Sequence, residues 1–199
     1  MTEIKTESTT PCLLYGPGQP ASFFERPTVI VAQDLLGCVL YRRLPGSEGR
    51  MVKALISEVE AYTSDDPACH AFRGKTKRTE VLFGPPGVAY VYFIYGMYHC
   101  LNVVTEPDQT AGAILIRALL SDGLNGPGKI CREWQIDRAQ NGVDMTDCNS
   151  EIWIGPRPEG YLPTVDISPR IGISQAKERL WRFFIPTEKK SVRIRKVKM

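Results

Sequence analysis

Glu58 and Glu60 stand two positions apart in "ISEVEAY" (56–62), and "VAYVYFIYGMYHCLNVV" (88–104) holds Tyr90, Tyr92, Tyr95 and Tyr98, half of the chain's eight tyrosines. A carboxylate can take a proton from water in a transition state. A tyrosine ring offers a flat apolar body, and its hydroxyl needs a hydrogen-bond partner when buried. A strand that only fills a core would use Val, Ile and Leu. Together with Tyr62, His70, Asn102 and Arg117, these residues suit a pocket for a flat, hydrogen-bonding ring. Taken singly, either glutamate reads as the wet edge of a mixed strand face.

The tyrosines carry two readings. Aromatic side chains stack on nucleic-acid bases for roughly 1–3 kcal/mol each, and minor-groove proteins push wedges between base steps. Equally, β-propensity alone favours tyrosine in half-buried sheets. Pattern leaves these open. The charge distribution bears on the same question. "RGKTKR" (73–78) gathers Arg73, Lys75, Lys77 and Arg78, and Lys177–Met199 holds nine Lys and Arg against two Glu, although the net charge is only +3. Separate basic clusters suit a polyanion, because each neutralised phosphate releases counterions. A basic tail is also an ordinary solvated end.

The elements that must position these residues follow from periodicity and punctuation. Residues 1–20, polar and carrying Pro11, Pro17 and Pro20, predict a flexible arm. A helix is expected over 27–36, started by Pro27, then a strand over 37–43. The alternation of 51–62 places Ile56, Glu58, Glu60 and Tyr62 on one strand face and Leu55, Ser57, Val59 and Ala61 on the other. Strands 88–95 and 98–105 form a hairpin about a two-residue Gly96-Met97 turn, with Tyr90 and Tyr92 on one side and Val91 and Phe93 on the other. Further strands are expected at 111–120 and 151–156, a short helix at 129–136, and a turn leading into a last strand near "WRFF". The sum is one α+β domain (21–187) with antiparallel pairing at its centre, followed by a basic tail (188–199).

With 199 residues, 43% hydrophobic and 24% charged, the chain falls among globular domains able to bury a full core. Six scattered cysteines contain no C-x-x-C, and two histidines do not make a His-rich metal site. "MTEIKTESTT" lacks the apolar run of a signal peptide, and no segment is long and apolar enough to span a bilayer. These features predict an intracellular protein with reduced thiols and no membrane partner.

"ISEVEAY", "DPACHAFRGKTKRTEVLF", "GVAYVYFIYGMYHCLNVV", "AILIRAL", "GPGKIC" and "WRFF" occur in that order. Together they resemble the 3-methyladenine (alkyladenine, methylpurine) DNA glycosylase family over about Phe23–Phe184. The resemblance implies a curved, mainly antiparallel sheet with flanking helices and a protruding hairpin that inserts into the DNA minor groove. It implies a monomer that acts on duplex DNA containing damaged purines and needs neither cofactor nor metal. Glu60 would be the general base activating water for attack on the sugar C1′, and Arg117 would hold that water and orient Glu60. Tyr62, His70, Tyr92 and Asn102 would form the base pocket. Asn102 would disfavour the exocyclic amino group of guanine. Tyr95 would fill the space left by the flipped base, with Met97 and Tyr98 beside it. Arg73, Lys75, Lys77, Arg78 and Lys129 would contact phosphates. The chain departs from the family between Arg117 and "GPGKIC", where only "LLSDGLN" replaces a longer segment.

Two alternatives come from the residues themselves. A non-catalytic single-strand nucleic-acid binder explains the tyrosines but leaves Glu60 as a liability against phosphate. A sugar hydrolase could use Glu58 and Glu60 as a carboxylate pair, since an i, i+2 pair on a strand lies roughly 6–7 Å apart at Cα. Any such pair gives that match.

Overall fold

In the computed structural model, residues 15–46 and 50–186 are described. The expected tail at 188–199 and positions 1–14 of the expected arm lie outside them. Strands β1 (Val39–Arg43), β2 (Met51–Thr63), β3 (Ala89–Ile94), β4 (Tyr98–Thr105), β5 (Gly112–Leu119), β6 (Ile152–Gly155), β7 (Asp166–Ser168) and β8 (Arg182–Phe184) form one sheet. Its order is β3-β4-β5-β2-β1-β6, with β8 joined to β2 and β7 to β8, and every strand pair is antiparallel. Strand β2 changes partners midway. Met51–Leu55 pairs with β1, while Ile56–Thr63 pairs with β5 and Glu58–Glu60 also with β8. This exchange curls the sheet into a half-barrel.

Helices α1 (Ala21–Phe24), α2 (Thr28–Leu35) and α3 (Pro127–Glu133) complete the α+β domain. Pro27 caps α2 much as expected, and Glu106 from beyond β4 accepts from both the Thr28 amide and hydroxyl at 2.6 Å. A carboxylate there satisfies an orphan donor and complements the helix dipole. Helix α3 starts two residues earlier than expected because Pro127 is tolerated in its first turn.

Val31, Ala32 and Leu35 of α2 pack with Ile56, Val59 and Ala61 of β2, Leu101 and Val103 of β4, and Ile114 and Ile116 of β5. Each of the Val, Leu and Ile side chains among them contributes about 1.5–3 kcal/mol by leaving water. Ile56 therefore does not share the face of Glu60, as strict alternation predicts. The β2–β5 ladder shifts register between Ile56 and Glu58 and again between Glu58 and Val59. Leu119 joins Ile116 in the core across the same irregularity on β5. The opposite face is covered by the 64–84 segment, whose Cys69, Ala71 and Leu82 pack against Tyr90, Val104 and Ala113.

The expectation of reduced thiols needs correction. Cys38, Cys69, Cys100 and Cys131 are free and buried, but Cys148 is disulfide-bonded. Spacing along a chain does not say which sulfurs meet in space. Among the described residues, no helix is long and apolar enough to cross a membrane.

Candidate active site

Glu60 is fully buried. Burying a carboxylate is costly unless it is paired and hydrogen-bonded, and Glu60 is both. Its Oε2 accepts from the Tyr62 hydroxyl at 2.8 Å and from Arg117 Nη1 at 3.4 Å, and its Oε1 accepts from the Ile171 amide at 2.7 Å. Tyr62 lies on the same strand and Arg117 on neighbouring β5. Ile171 belongs to the segment after β7.

A buried clip holds that segment. The Arg170 guanidinium donates to both carboxylate oxygens of Asp66 and, at 2.9 Å, to the Ala61 carbonyl. The same guanidinium lies 4.7 Å from the Tyr62 ring centroid and 5.3 Å from that of Trp181. Asp66 also accepts from the Ala68 amide at 3.1 Å, tightening the turn that leads to His70. One ion pair thus fixes two loops against β2.

Glu58 is no wet edge. Its side chain is only 16% exposed, and its Oε1 accepts from Arg117 Nε at 3.0 Å and Arg182 Nε at 2.7 Å. Burial alone would raise the Glu58 carboxyl, but Arg182 and then Arg117 hold it below the usual range.

A cavity of about 660 Å³ opens beside this centre, a size suited to a small organic ligand. Tyr62, His70, Tyr92, Asn102 and Arg117 line it, as do Tyr90, Cys100, Lys129 and Ile171. Glu60 does not line it; the three groups bonded to it form the wall one side chain thick. His70 Nδ1 is 3.0 Å from the Tyr90 hydroxyl, and its ring meets Tyr92 edge-on at 4.6 Å between centroids. His70 is exposed at the cavity rim, yet desolvation by the surrounding side chains and then the nearby Arg78 charge lower its pKa, which favours neutral imidazole. Burial also raises the Tyr62 and Tyr92 hydroxyls, so both remain protonated donors. Asn102 Nδ2 donates to the Tyr90 carbonyl at 3.0 Å, fixing its amide at the cavity edge of β4.

The hairpin turn contains three residues, Tyr95-Gly96-Met97, with Ile94 opposite Tyr98, where two were expected. Tyr95 and Gly96 both take left-handed φ, 55° and 68°, which lets one more residue fit the turn. Tyr95 is 76% exposed and Met97 64%; Tyr98 is partly exposed. Tyr98 leans on α3, where a Cβ at Gly128 would come within 2.9 Å of its ring. Arg73, Lys75, Lys77 and Arg78 are all exposed on the 64–84 segment, while Lys129 Nζ donates to Asn125 at 2.7 Å on the cavity rim.

The structure thus gathers Glu60, Arg117, Tyr62, His70, Tyr92 and Asn102 in one place. The family resemblance gave Tyr90 no place in the base pocket, and sequence reasoning missed the distant Arg170, Arg182 and Ile171. A buried arginine leaves no periodic signal; only the tyrosine's position two residues before Tyr92 could have flagged Tyr90.

The sequence model described as methylpurine-DNA glycosylase matches residues 22–124 and 120–189. The two stretches overlap within "LLSDGLN". A Wolbachia protein (subsp. Brugia malayi) is 46% identical over 176 residues, 83% of this chain and 96% of its own length. An Ehrlichia chaffeensis protein is 47% identical over 180 residues, covering 83% and 91%. A Trichodesmium erythraeum protein is 39% identical over 187 residues, covering 82% and 92%. Each carries the name "Putative 3-methyladenine DNA glycosylase".

Proposed function

The chain belongs to the methylpurine-DNA glycosylase family, and from that membership we propose that it flips damaged purines out of duplex DNA and hydrolyses their N-glycosidic bonds. The substrates are the 3-methyladenine, 7-methylguanine, hypoxanthine and ethenoadenine class, and the reaction starts base excision repair. A base inside a duplex cannot reach a pocket, so it must be extruded, at a cost of a few kcal/mol. Tyr95, with Met97 and Tyr98, fills the gap in the minor groove and offsets that cost. Arg73, Lys75, Lys77, Arg78 and Lys129 meet phosphates. The extruded base stacks among Tyr62, His70 and Tyr92, and cationic alkylpurines gain from the tyrosine faces. Asn102 disfavours normal guanine.

Glu60 is the general base. A carboxylate offers about four acceptor positions, and among the described residues only the Ile171 amide donates to its Oε1. Water admitted past the wall of Tyr62, Arg117 and Ile171 gives its proton to the free position on Oε1 as the water oxygen bonds to C1′. The C1′–N bond breaks and its electron pair leaves with the purine. Arg117, shared between cavity wall and carboxylate, holds the water and orients Glu60. Lys129 on the cavity rim is held by Asn125 and meets phosphate rather than C1′, so the strand stays intact.

The observation that carries this reading is a fully buried carboxylate, accepting three hydrogen bonds, directly behind a tyrosine-lined cavity. The test incubates the protein with duplexes carrying hypoxanthine or 1,N6-ethenoadenine and then cleaves abasic sites with alkali. Protein-dependent cleavage is expected, abolished by Glu60→Gln while DNA binding survives, with no covalent complex on borohydride treatment. Binding without abasic product on any lesion would make the chain a non-catalytic nucleic-acid binder.

A further inference from the structure

Arg117 has a long, flexible side chain, and its contact with Glu60, at 3.4 Å, is the longest of the three to that carboxylate. Something else must hold its direction. Its Nε donates to Glu58 at 3.0 Å, leaving Nη1 toward Glu60. Glu58 is itself fixed from the far side by Arg182 Nε at 2.7 Å. Arg182 in turn donates to Ser168 Oγ at 2.8 Å and lies 4.4 Å from the Phe184 ring centroid. The register shifts on either side of Glu58 let it and Glu60 reach the same guanidinium.

We propose that Glu58 is a positioning residue, aiming Arg117 at Glu60 from a site anchored by Arg182 and Ser168. The inference rests on the glycosylase reading for its kinetic consequence but not for its geometric one. One oxygen of Glu58 accepts from both arginines. An amide oxygen also has two lone pairs, but only a carboxylate balances the charge of two guanidiniums brought together on the sheet. In the Glu58→Gln variant the bond to Arg117 Nε loses its charge assistance, and Nη1 samples other directions. Small misplacements of a catalytic group cost up to about 100-fold in rate. Substrate binding, which uses the cavity and the hairpin, does not depend on that direction.

The test compares wild type, Glu58→Gln, Arg117→Ala and the double variant in single-turnover base release from a hypoxanthine duplex, with lesion-DNA Kd measured beside it. Glu58→Gln is expected to slow release about 10–100-fold with Kd changed less than about threefold. In the Arg117→Ala background the same substitution should change nothing further, because the two act as one unit. Arg182→Gln, which leaves Glu58 in place with one support fewer, should slow release in the same direction but less. Equal losses from Glu58→Gln in both backgrounds, or a loss confined to Kd, would overturn the proposal. A second readout is independent of activity. The Arg117 Nε–H NMR signal should be protected from exchange in wild type and lose that protection in Glu58→Gln. Unchanged protection would overturn the positioning role even if no base were released, whereas absent wild-type release on every lesion would defeat the glycosylase reading instead.

Discussion

The carboxylate centre and the hairpin tip lie on the same sheet and are built on opposite principles. At the centre, Glu58, Glu60, Asp66 and Arg170 are each held by two or more partners and are nearly or wholly withdrawn from water. At the tip, Tyr95 and Met97 stand in solvent on a turn whose backbone is held in a left-handed conformation. A buried group that must act on a bond is best fixed before the substrate arrives. A side chain that must enter a DNA duplex has to be exposed beforehand, and strain at such a residue points to function rather than to stability. Under the proposed function, the contrast separates what chemistry requires from what extrusion requires.

The largest effect belongs to the centre. Glu60→Gln should reduce base release by roughly 10²–10⁴-fold, the range typical of general base catalysis, in a single-turnover assay at saturating protein. A loss below about tenfold would move the chemistry elsewhere. Next comes the clip beneath it. Asp66→Asn leaves Arg170 buried without its countercharge, which should lower stability by about 3–5 kcal/mol in urea unfolding. The tip should respond in the opposite sense. Tyr95→Gly relieves a left-handed tyrosine and should raise stability by about 1 kcal/mol, yet weaken extrusion by roughly 1–3 kcal/mol, read as base release from paired lesions. A variant that loses both stability and extrusion would make the tip a structural corner.

The smallest effect is a titration. His70 has its pKa lowered by desolvation and by Arg78, so the unfolded chain binds its proton more readily than the folded one. Its contribution to stability is complete above about 6.5, and it is lost as pH falls through the lower folded value. The His70 imidazole NMR shift should titrate below about 6.5, and Arg78→Gln should move the midpoint upward. A midpoint at or above that ordinary value would contradict desolvation of the ring at the cavity edge.

Much of the local structure was legible in the sequence, because it is written in neighbouring residues. The alternation through Val59–Tyr62 gave the face of Glu60, and "NVV" after the hairpin gave the strand that carries Asn102. Pro27 marked the start of α2. Alternation failed at Ser57–Glu58 because a bulge is a property of two strands at once, and Ile56 crossed to the core as a result. The three-residue turn was hidden because nothing in tyrosine advertises a positive φ. Arg170, Arg182 and Ile171 reach Asp66, Glu58 and Glu60 from 104, 124 and 111 positions away. Such pairs obey no period, so only the folded chain brings them to light. The same holds for the disulfide at Cys148.

The most direct measurement is single-turnover base release by wild type, Glu60→Gln and Tyr95→Gly from hypoxanthine placed in duplex and in single-stranded DNA. Glu60→Gln should lose activity on both substrates, because the bond to be broken is the same. Tyr95→Gly should lose activity on the duplex and keep it on the single strand, where no base has to be pushed out. Equal losses by both variants on both substrates would contradict the division between a fixed chemical centre and an exposed extruding tip.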